Sequence, residues 1–339
     1  MKLVTFRHPT GHDRAGVLVG SEVIDLARAF ASYEHARGRR CDEAHVLDRY
    51  GRGVLGFIEH AERARPVADE IVEMHSRGAL PRDYEGAPLV AQLANVTLRA
   101  PIPRPPSMRD GYAFRQHVQT ARKNRGLDMI PEFDQFPVFY FTNAAGVVGP
   151  GDVHVEALHL ERLDYELEAA IVIGKEARNV KAKDADAIVF GMTIMNDWSA
   201  RALQMEEMKL SLGPAKGKDF ATSLGPWLVT IDELAERTTP TPNGNHYDLA
   251  MRARVNGEQL SQGNVKDMTW TFAQIIERAS YGVTLSPGDV IGSGTCGTGC
   301  LLELNGSKIT KDLWLKPGDQ VELEIERLGT LSNRIVANR

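Results

Sequence analysis

Between Val17 and Leu26 two short β-branched runs flank Gly20 and Ser21, a pattern that predicts a hairpin near the start of the chain. From about Ala27 to Ala94 the pattern turns helical and polar, with Val54, Phe57, Ile58, Ile71 and Met74 recurring at three- and four-residue spacings among charged neighbours. Pro101, Pro103, Pro105 and Pro106 then interrupt any regular element, because proline lacks the N–H that a helix or sheet ladder needs. A domain border is expected just before them, giving a small N-terminal unit over residues 1–95 and a larger one over 96–339. Beyond Ser107 short strands alternate with turn signals, among them Gly149-Pro150-Gly151-Asp152, Asn256-Gly257, Pro287-Gly288-Asp289 and Pro317-Gly318-Asp319. Turns at such intervals predict a sandwich or roll. Two amphipathic helices interrupt it, Ser199 to Leu210 and Thr271 to Ala279, the second with Phe272, Ile275, Ile276 and Ala279 on one face. The fold class expected is α+β and β-rich.

Composition narrows the classes of function. With 339 residues, 42% of them hydrophobic and 25% charged, the chain is long enough for a sizeable core and two packed units. A net charge of −5 and the lack of any Lys/Arg run argue against nucleic acid as a partner. Neither a signal-peptide core over Met1 to Pro9 nor an apolar stretch of membrane-spanning length is found, so no membrane partner and a cytoplasmic location are expected. Cys41, Cys296 and Cys300 are too few to staple a fold of this size. Cys296 and Cys300 lack a neighbouring Cys or His pair to complete a zinc site and read as small buried or loop thiols.

The chemistry concentrates in three acidic segments. Leu163 to Gly174 alternates and then becomes apolar, as a strand entering a core does, so Glu166 and Glu168 project from one face with Asp164 beside them. Such carboxylates are either screened by water or satisfied by a hard divalent cation, Mg²⁺, Mn²⁺ or Ca²⁺. Asp197 sits where an apolar strand gives way to a helix, and taken alone it reads as a helix N-cap. Asp110 and His117 follow the proline cluster; in a helix they would share a face roughly 10 Å apart along the axis, too far to ligate one ion but able to bracket a small substrate. Locally the favoured reading is an N-cap aspartate and a surface histidine.

Taken together these segments resemble the fumarylacetoacetate hydrolase family. The resemblance runs through Asp110-Gly111-Tyr112-Ala113-Phe114-Arg115-Gln116-His117, Leu163-Asp164-Tyr165-Glu166-Leu167-Glu168 and Met195-Asn196-Asp197-Trp198-Ser199-Ala200-Arg201, and is dense from about Ser107 to Gly306. It implies a mixed β-sandwich roll with a small N-terminal domain, and a divalent metal, Mg²⁺ or Mn²⁺ before Ca²⁺, held by Asp110, Glu166, Glu168 and Asp197. It makes His117 the catalytic base and Glu303, on a strand Leu301 to Leu304, its orienting partner. Gly213 to Phe220 is similar to the glycine-rich loop whose lysine enters the site, which selects Lys218; Arg201 and Gln204 would join it as donors to an oxyanion. Thr295, Tyr112 and Tyr140 become substrate contacts. The activity implied is hydrolysis of a carbon-carbon bond in a 1,3-dicarbonyl or acylpyruvate-type acid by a homodimer. Decarboxylation of a 2-oxo acid such as oxaloacetate, or a hydratase or isomerase step, is the alternative on the same fold, since each passes through a stabilised enolate. The chain departs from the fumarylacetoacetate-specific pattern near Met208, where a pocket tyrosine is expected, and in a shorter stretch between Thr295 and Glu303.

Overall fold

Every residue of the strand Leu167–Ile173 is buried, which explains why its alternation gives way to a continuous apolar run. Leu167, Ala169, Ile171 and Ile173 face one core cluster, while Ala170 and Val172 face another on the opposite side of the sheet. This strand is the centre of a computed structural model that describes residues 1–9, 11–39, 41, 46, 50 and 53–338.

The strand lies in an eleven-stranded sheet whose order is Val90–Gln92, Glu22–Asp25, Asp13–Val19, Lys2–Arg7, Thr222–Thr230, Val189–Asn196, Leu167–Ile173, Val290–Gly292, Met108–Gly111 and Phe139–Phe141, with Val147–Val148 beside Thr222–Thr230. Five further strands, Gly151–Val155, Gly329–Ala337, Gln320–Ile325, Ala250–Val255 and Glu258–Asn264, form a second sheet. Met251, Ala253, Val321, Leu323 and Leu331 of that sheet share a core with Leu167, Ile171, Met192 and Ile194, so the two sheets pack face to face. On the other face, helices Leu26–Ala36, Val54–Glu59 and Ala61–Ser76 bury Phe30, Val54, Phe57, Ile58 and Ala64 in one cluster with Leu3, Ala170, Val172 and Leu228.

The hairpin expected at Val17 to Leu26 forms, with Asp13–Val19 antiparallel to Glu22–Asp25. The helical stretch ends earlier than Ala94: Asp83–Tyr84 and Ala87–Pro88 pair with each other, and Val90–Gln92 joins the sheet edge beside Glu22–Asp25. Residues 40, 42–45, 47–49, 51 and 52 of that stretch lie outside the described residues. The large sheet crosses the expected border before the proline cluster, because Lys2 and Leu3 pair with Val229 and Leu228.

Both predicted helices of the larger unit are present with shifted ends. Phe272–Ser280 carries a capping box in which Thr271 and Gln274 satisfy each other's backbone N–H groups, an arrangement typically worth about 1 kcal/mol at the cap. The other helix is Arg201–Met208, because Ser199 and Ala200 are drawn into pairing with Asp164 and Leu163. No helix among the described residues is long and apolar enough to cross a membrane.

Candidate metal centre and its histidine–glutamate pair

Four carboxylates reach one point, two from strands, one from the break before a strand and one from the residue that follows another. Asp110 lies on the strand Met108–Gly111, in register with Gly292 on one side and Tyr140 on the other. The segment is therefore a strand, not the helix considered from Asp110 to His117; pairing with the buried strand Val290–Gly292 overrides the local pattern, and the helix that carries His117 begins only at Arg115. Glu168 is on the strand Leu167–Ile173, but Glu166 falls in the break between it and Leu163–Asp164, where its N–H donates to Asn196 Oδ1 at 2.9 Å. The two acids thus do not alternate along one regular strand, although both arrive at the same cluster. Asp197 follows the strand Val189–Asn196 and does not cap the next helix, whose N-cap is Ala200 without a side-chain bond.

Oxygens of Asp110, Glu166, Glu168 and Asp197 lie within 4.8 Å of one another, and all four residues are buried. The N–H of Gly294 donates to both Asp110 Oδ1 and Glu168 Oε2 at 3.1 Å, from a backbone with φ of +78° that favours glycine. Lys218 Nζ donates to Glu166 Oε2 at 2.5 Å and Asp197 Oδ2 at 2.6 Å, and the Tyr140 hydroxyl donates to Asp197 Oδ2 at 2.5 Å. Thr295 Oγ1 donates to Glu168 Oε1 at 3.4 Å. Tyr140 and Thr295, expected as substrate contacts, therefore touch the carboxylates themselves.

Electrostatics shows what this cluster lacks. Burial, then the neighbouring acids, push Asp110 and Glu168 well above the usual carboxylate range. Burial acts the same way on Glu166, but Lys218 and Arg201 overcome it and hold that carboxyl below its ordinary value. Asp197 is raised by burial against the pull of Lys218. With Asp164 included, five buried carboxylates face two buried cations, Arg201 and Lys218. Asp197 Oδ1 is moreover buried with no hydrogen-bond partner. A buried acceptor without a donor, among carboxylates that repel one another, is what a hard divalent cation satisfies, so these four residues fit such an ion.

Asp164 is the residue that sequence reasoning passed over. Arg201 Nε donates to Asp164 Oδ2 at 2.8 Å, its Nη2 to Glu166 Oε1 at 2.7 Å and its Nη1 to Gln204 Oε1 at 2.9 Å. Asp164 also accepts from the N–H groups of Leu301 and Leu302 at 2.7 and 3.0 Å, the start of the helix Leu301–Gly306. One buried carboxylate thereby ties the Arg201–Glu166 pair to the element that carries Glu303. Its place in the same alternating segment as Glu166 and Glu168 was the available signal, since a charge entering a core is seldom fully buried without a partner. Arg201 and Gln204, expected as donors to an oxyanion, bond each other, and Arg201 is further occupied by two carboxylates.

His117 and Glu303 meet as a pair. His117 Nδ1 lies 2.6 Å from Glu303 Oε2, and Glu303 Oε1 accepts from the N–H of Thr298 at 2.9 Å. Glu303 sits on a short helix and not on the expected strand; the N–H groups opening that turn are held by Asp164. A carboxylate only accepts, so Nδ1 carries the proton and Nε2 is the nitrogen with a lone pair. Tyr112 stands edge-on to the imidazole with ring centroids 5.8 Å apart. Cys296 and Cys300 are both buried and free, and Cys300 adjoins His117 and Glu303.

A double sheet, a carboxylate cluster that fits a hard divalent ion and a buried His–Glu pair together define the candidate site, and known proteins supply its family. A family model described as fumarylacetoacetate (FAA) hydrolase C-terminal matches residues 107–336. Oxaloacetate tautomerase YisK of Bacillus subtilis (strain 168) is 34% identical over 262 residues, covering 75% of this chain and 78% of that protein. The mitochondrial oxaloacetate tautomerase Fahd2a of Rattus norvegicus is 32% identical over 287 residues, 84% of this chain and 79% of that one. In fold the chain is similar to maleylpyruvate hydrolase from Sphingobium sp. SYK-6 in complex with manganese(II) ion and pyruvate, with a TM-score of 0.68 at 22% identity over 100% of both chains. The chain belongs to the fumarylacetoacetate hydrolase family of enzymes.

Proposed function

We propose that this protein interconverts the keto and enol forms of a 2-oxo dicarboxylic acid of the oxaloacetate type. The observation that carries the reading is the buried pair of His117 Nδ1 and Glu303 Oε2 at 2.6 Å in a chain 34% identical to an oxaloacetate tautomerase. Carbon-carbon hydrolysis, the activity implied by the family resemblance, becomes the second reading; the same pair would serve it by activating water.

Asp110, Glu166, Glu168 and Asp197 would hold the divalent ion, Mg²⁺ or Mn²⁺, and Ca²⁺ is compatible with the same oxygens. Bound there, such an ion would supply Lewis acidity toward the oxygens of a 2-oxo acid. His117 Nε2 removes the proton from the carbon next to the carbonyl in the keto form, and the oxygen takes a proton from solvent water as the enol forms, the imidazolium later releasing its proton to solvent. In the opposite direction His117 returns the proton to carbon and the enol hydroxyl loses its own. Glu303 fixes the tautomer and orientation that this transfer requires and balances the imidazolium while it exists. Lys218 holds Glu166 and Asp197 by hydrogen bonds, Arg201 holds Glu166, and Tyr112 packs edge-on to the His117 ring. The expected homodimer and cytoplasmic location belong to the same reading and are checked by sedimentation and cell fractionation.

The test is a turnover screen of chelator-stripped protein on enol-oxaloacetate, short acylpyruvates and fumarylacetoacetate, with and without Mg²⁺ or Mn²⁺. Metal-restored loss of enol absorbance without carbon dioxide supports tautomerisation. Carbon dioxide release transfers the assignment to decarboxylation, and activity confined to the acylpyruvates or fumarylacetoacetate transfers it to hydrolysis.

A further inference from the structure

Among the described residues a second group of metal-ligating side chains stands apart from the four carboxylates. His117, Cys300 and Glu303 are all buried, and one donor atom of each lies within 4.8 Å of the other two. The sequence shows Cys300 only beside Cys296 and far from any histidine; the fold supplies the missing partners. His117 comes from the helix Arg115–Lys123, which packs on the helix Leu301–Gly306, and Cys300 is the residue that precedes this second helix.

The donor chemistry differs from that of the first cluster. Four carboxylates offer only oxygen, which suits Mg²⁺, Mn²⁺ or Ca²⁺, whereas sulfur, imidazole nitrogen and one carboxylate oxygen are the set favoured by Zn²⁺ and its softer congeners. We propose that His117, Cys300 and Glu303 form a second, thiophilic metal site that takes Zn²⁺, and that its occupation withdraws His117 and Glu303 from proton transfer. Binding involves no change of oxidation state. The Cys300 thiol releases its proton to solvent, its thiolate and the Glu303 carboxylate neutralise the double charge of the ion, and His117 binds through a neutral ring nitrogen. Burial raises the Cys300 thiol well above its ordinary value, so without an ion it stays protonated. The existence of the site is independent of the reaction proposed above; only the inhibition rests on it.

Cd²⁺ probes the site directly, because a thiolate bound to it absorbs in the ultraviolet. Full-length protein carrying Cys41→Ser, stripped with chelator and then saturated with Mg²⁺ to fill the carboxylate cluster, is titrated with Cd²⁺. The expected result is a single absorbing equivalent per chain that survives Cys296→Ser and is lost with Cys300→Ser. His117→Gln, which keeps the thiol, is expected to weaken it by at least roughly 100-fold, the upper end of what loss of an outer-shell partner costs. Absence of the band, its persistence in Cys300→Ser, or an affinity that His117→Gln leaves unchanged overturns the site. Near-ultraviolet circular dichroism identifies a variant that has not folded, and Cys300→Ala then replaces Cys300→Ser. In parallel, Zn²⁺ added at saturating Mg²⁺ is expected to inhibit the Cys41→Ser protein and to spare the Cys41→Ser/Cys300→Ser protein; binding without inhibition overturns the claim that His117 and Glu303 are withdrawn. If the untreated protein shows no turnover, the proposed reaction fails, and the Cd²⁺ titration still decides the site.

Discussion

Asp164 and Arg201 form a buried ion pair, 2.8 Å apart and nearly closed to solvent, next to the four-carboxylate cluster but outside it. The pair matters through what each partner holds next: Arg201 binds Glu166, and Asp164 binds the start of the helix that carries Glu303. Asp164→Asn keeps the shape and removes the charge. Breaking one side of a buried pair costs about 3 kcal/mol or more, so the variant should unfold at lower urea with an unchanged slope. Its residual activity should fall through both the metal and the dyad, read as weaker Mg²⁺ binding together with a lower kcat.

Glu303→Gln tests the dyad without that cost to folding. A glutamine retains the size of the side chain but neither enforces the histidine tautomer nor balances an imidazolium. Turnover is expected to fall by roughly 10²- to 10⁴-fold, the range that positioned acid–base groups contribute. Calorimetric Mg²⁺ affinity should stay near the wild-type value, whereas Glu168→Gln should lose both.

Gly292 is where the backbone makes room for the carboxylates. A Cβ added there would stand 2.5 Å from Asp110 Oδ1, 2.9 Å from Met195 Cε and 3.0 Å from Glu168 Oε2. Gly292→Ala should therefore displace two ligands, weaken the divalent ion and destabilise the fold by about 1–3 kcal/mol, as overpacked cores are. Thermal melts with and without Mg²⁺ separate the two effects.

Metal and proton compete for Asp110 and Glu168, whose carboxyls are both raised by burial first, and then by Asp197 for Asp110 and by Asp110 for Glu168. Ligation needs the deprotonated forms, so Mg²⁺ binding should release protons and should weaken as pH falls. Titration calorimetry in two buffers of different ionisation heat measures the release. At 100 times Kd the ion should add about 2.7 kcal/mol of stability, seen as a higher Tm that chelator abolishes.

The grouping of the acids and of the His–Glu pair was legible because their residue types and spacings recur as a set: Asp110, Glu166, Glu168 and Asp197 come together, and His117 meets Glu303. Local structure was less legible. Asp110 follows a sheet partner, Val290–Gly292, that lies far along the chain, and no helical or strand period in Arg109 to His117 reveals it. Glu303 follows a helix because Asp164 holds the opening N–H groups of that turn, again a distant cause. The same limit hid Asp164, Cys300 and the commitment of Arg201 to two carboxylates: each role depends on a partner that only the fold brings close. The hairpin near the start of the chain forms, and the strand Lys2–Arg7 before it pairs with Thr222–Thr230 far along the chain, a partner that no local pattern reveals.

The central claim is that His117 moves a proton at the carbon beside a carbonyl and breaks no carbon-carbon bond. It is tested most directly by following oxaloacetate with wild-type and His117→Ala protein in D₂O with Mg²⁺, by proton nuclear magnetic resonance. The account predicts enzyme-accelerated exchange of the carbon 3 protons for deuterium with the four-carbon acid intact, and loss of that acceleration in His117→Ala while Mg²⁺ still binds. Equal exchange by the two proteins, or formation of pyruvate or other fragments at the rate of wild-type turnover, would contradict it.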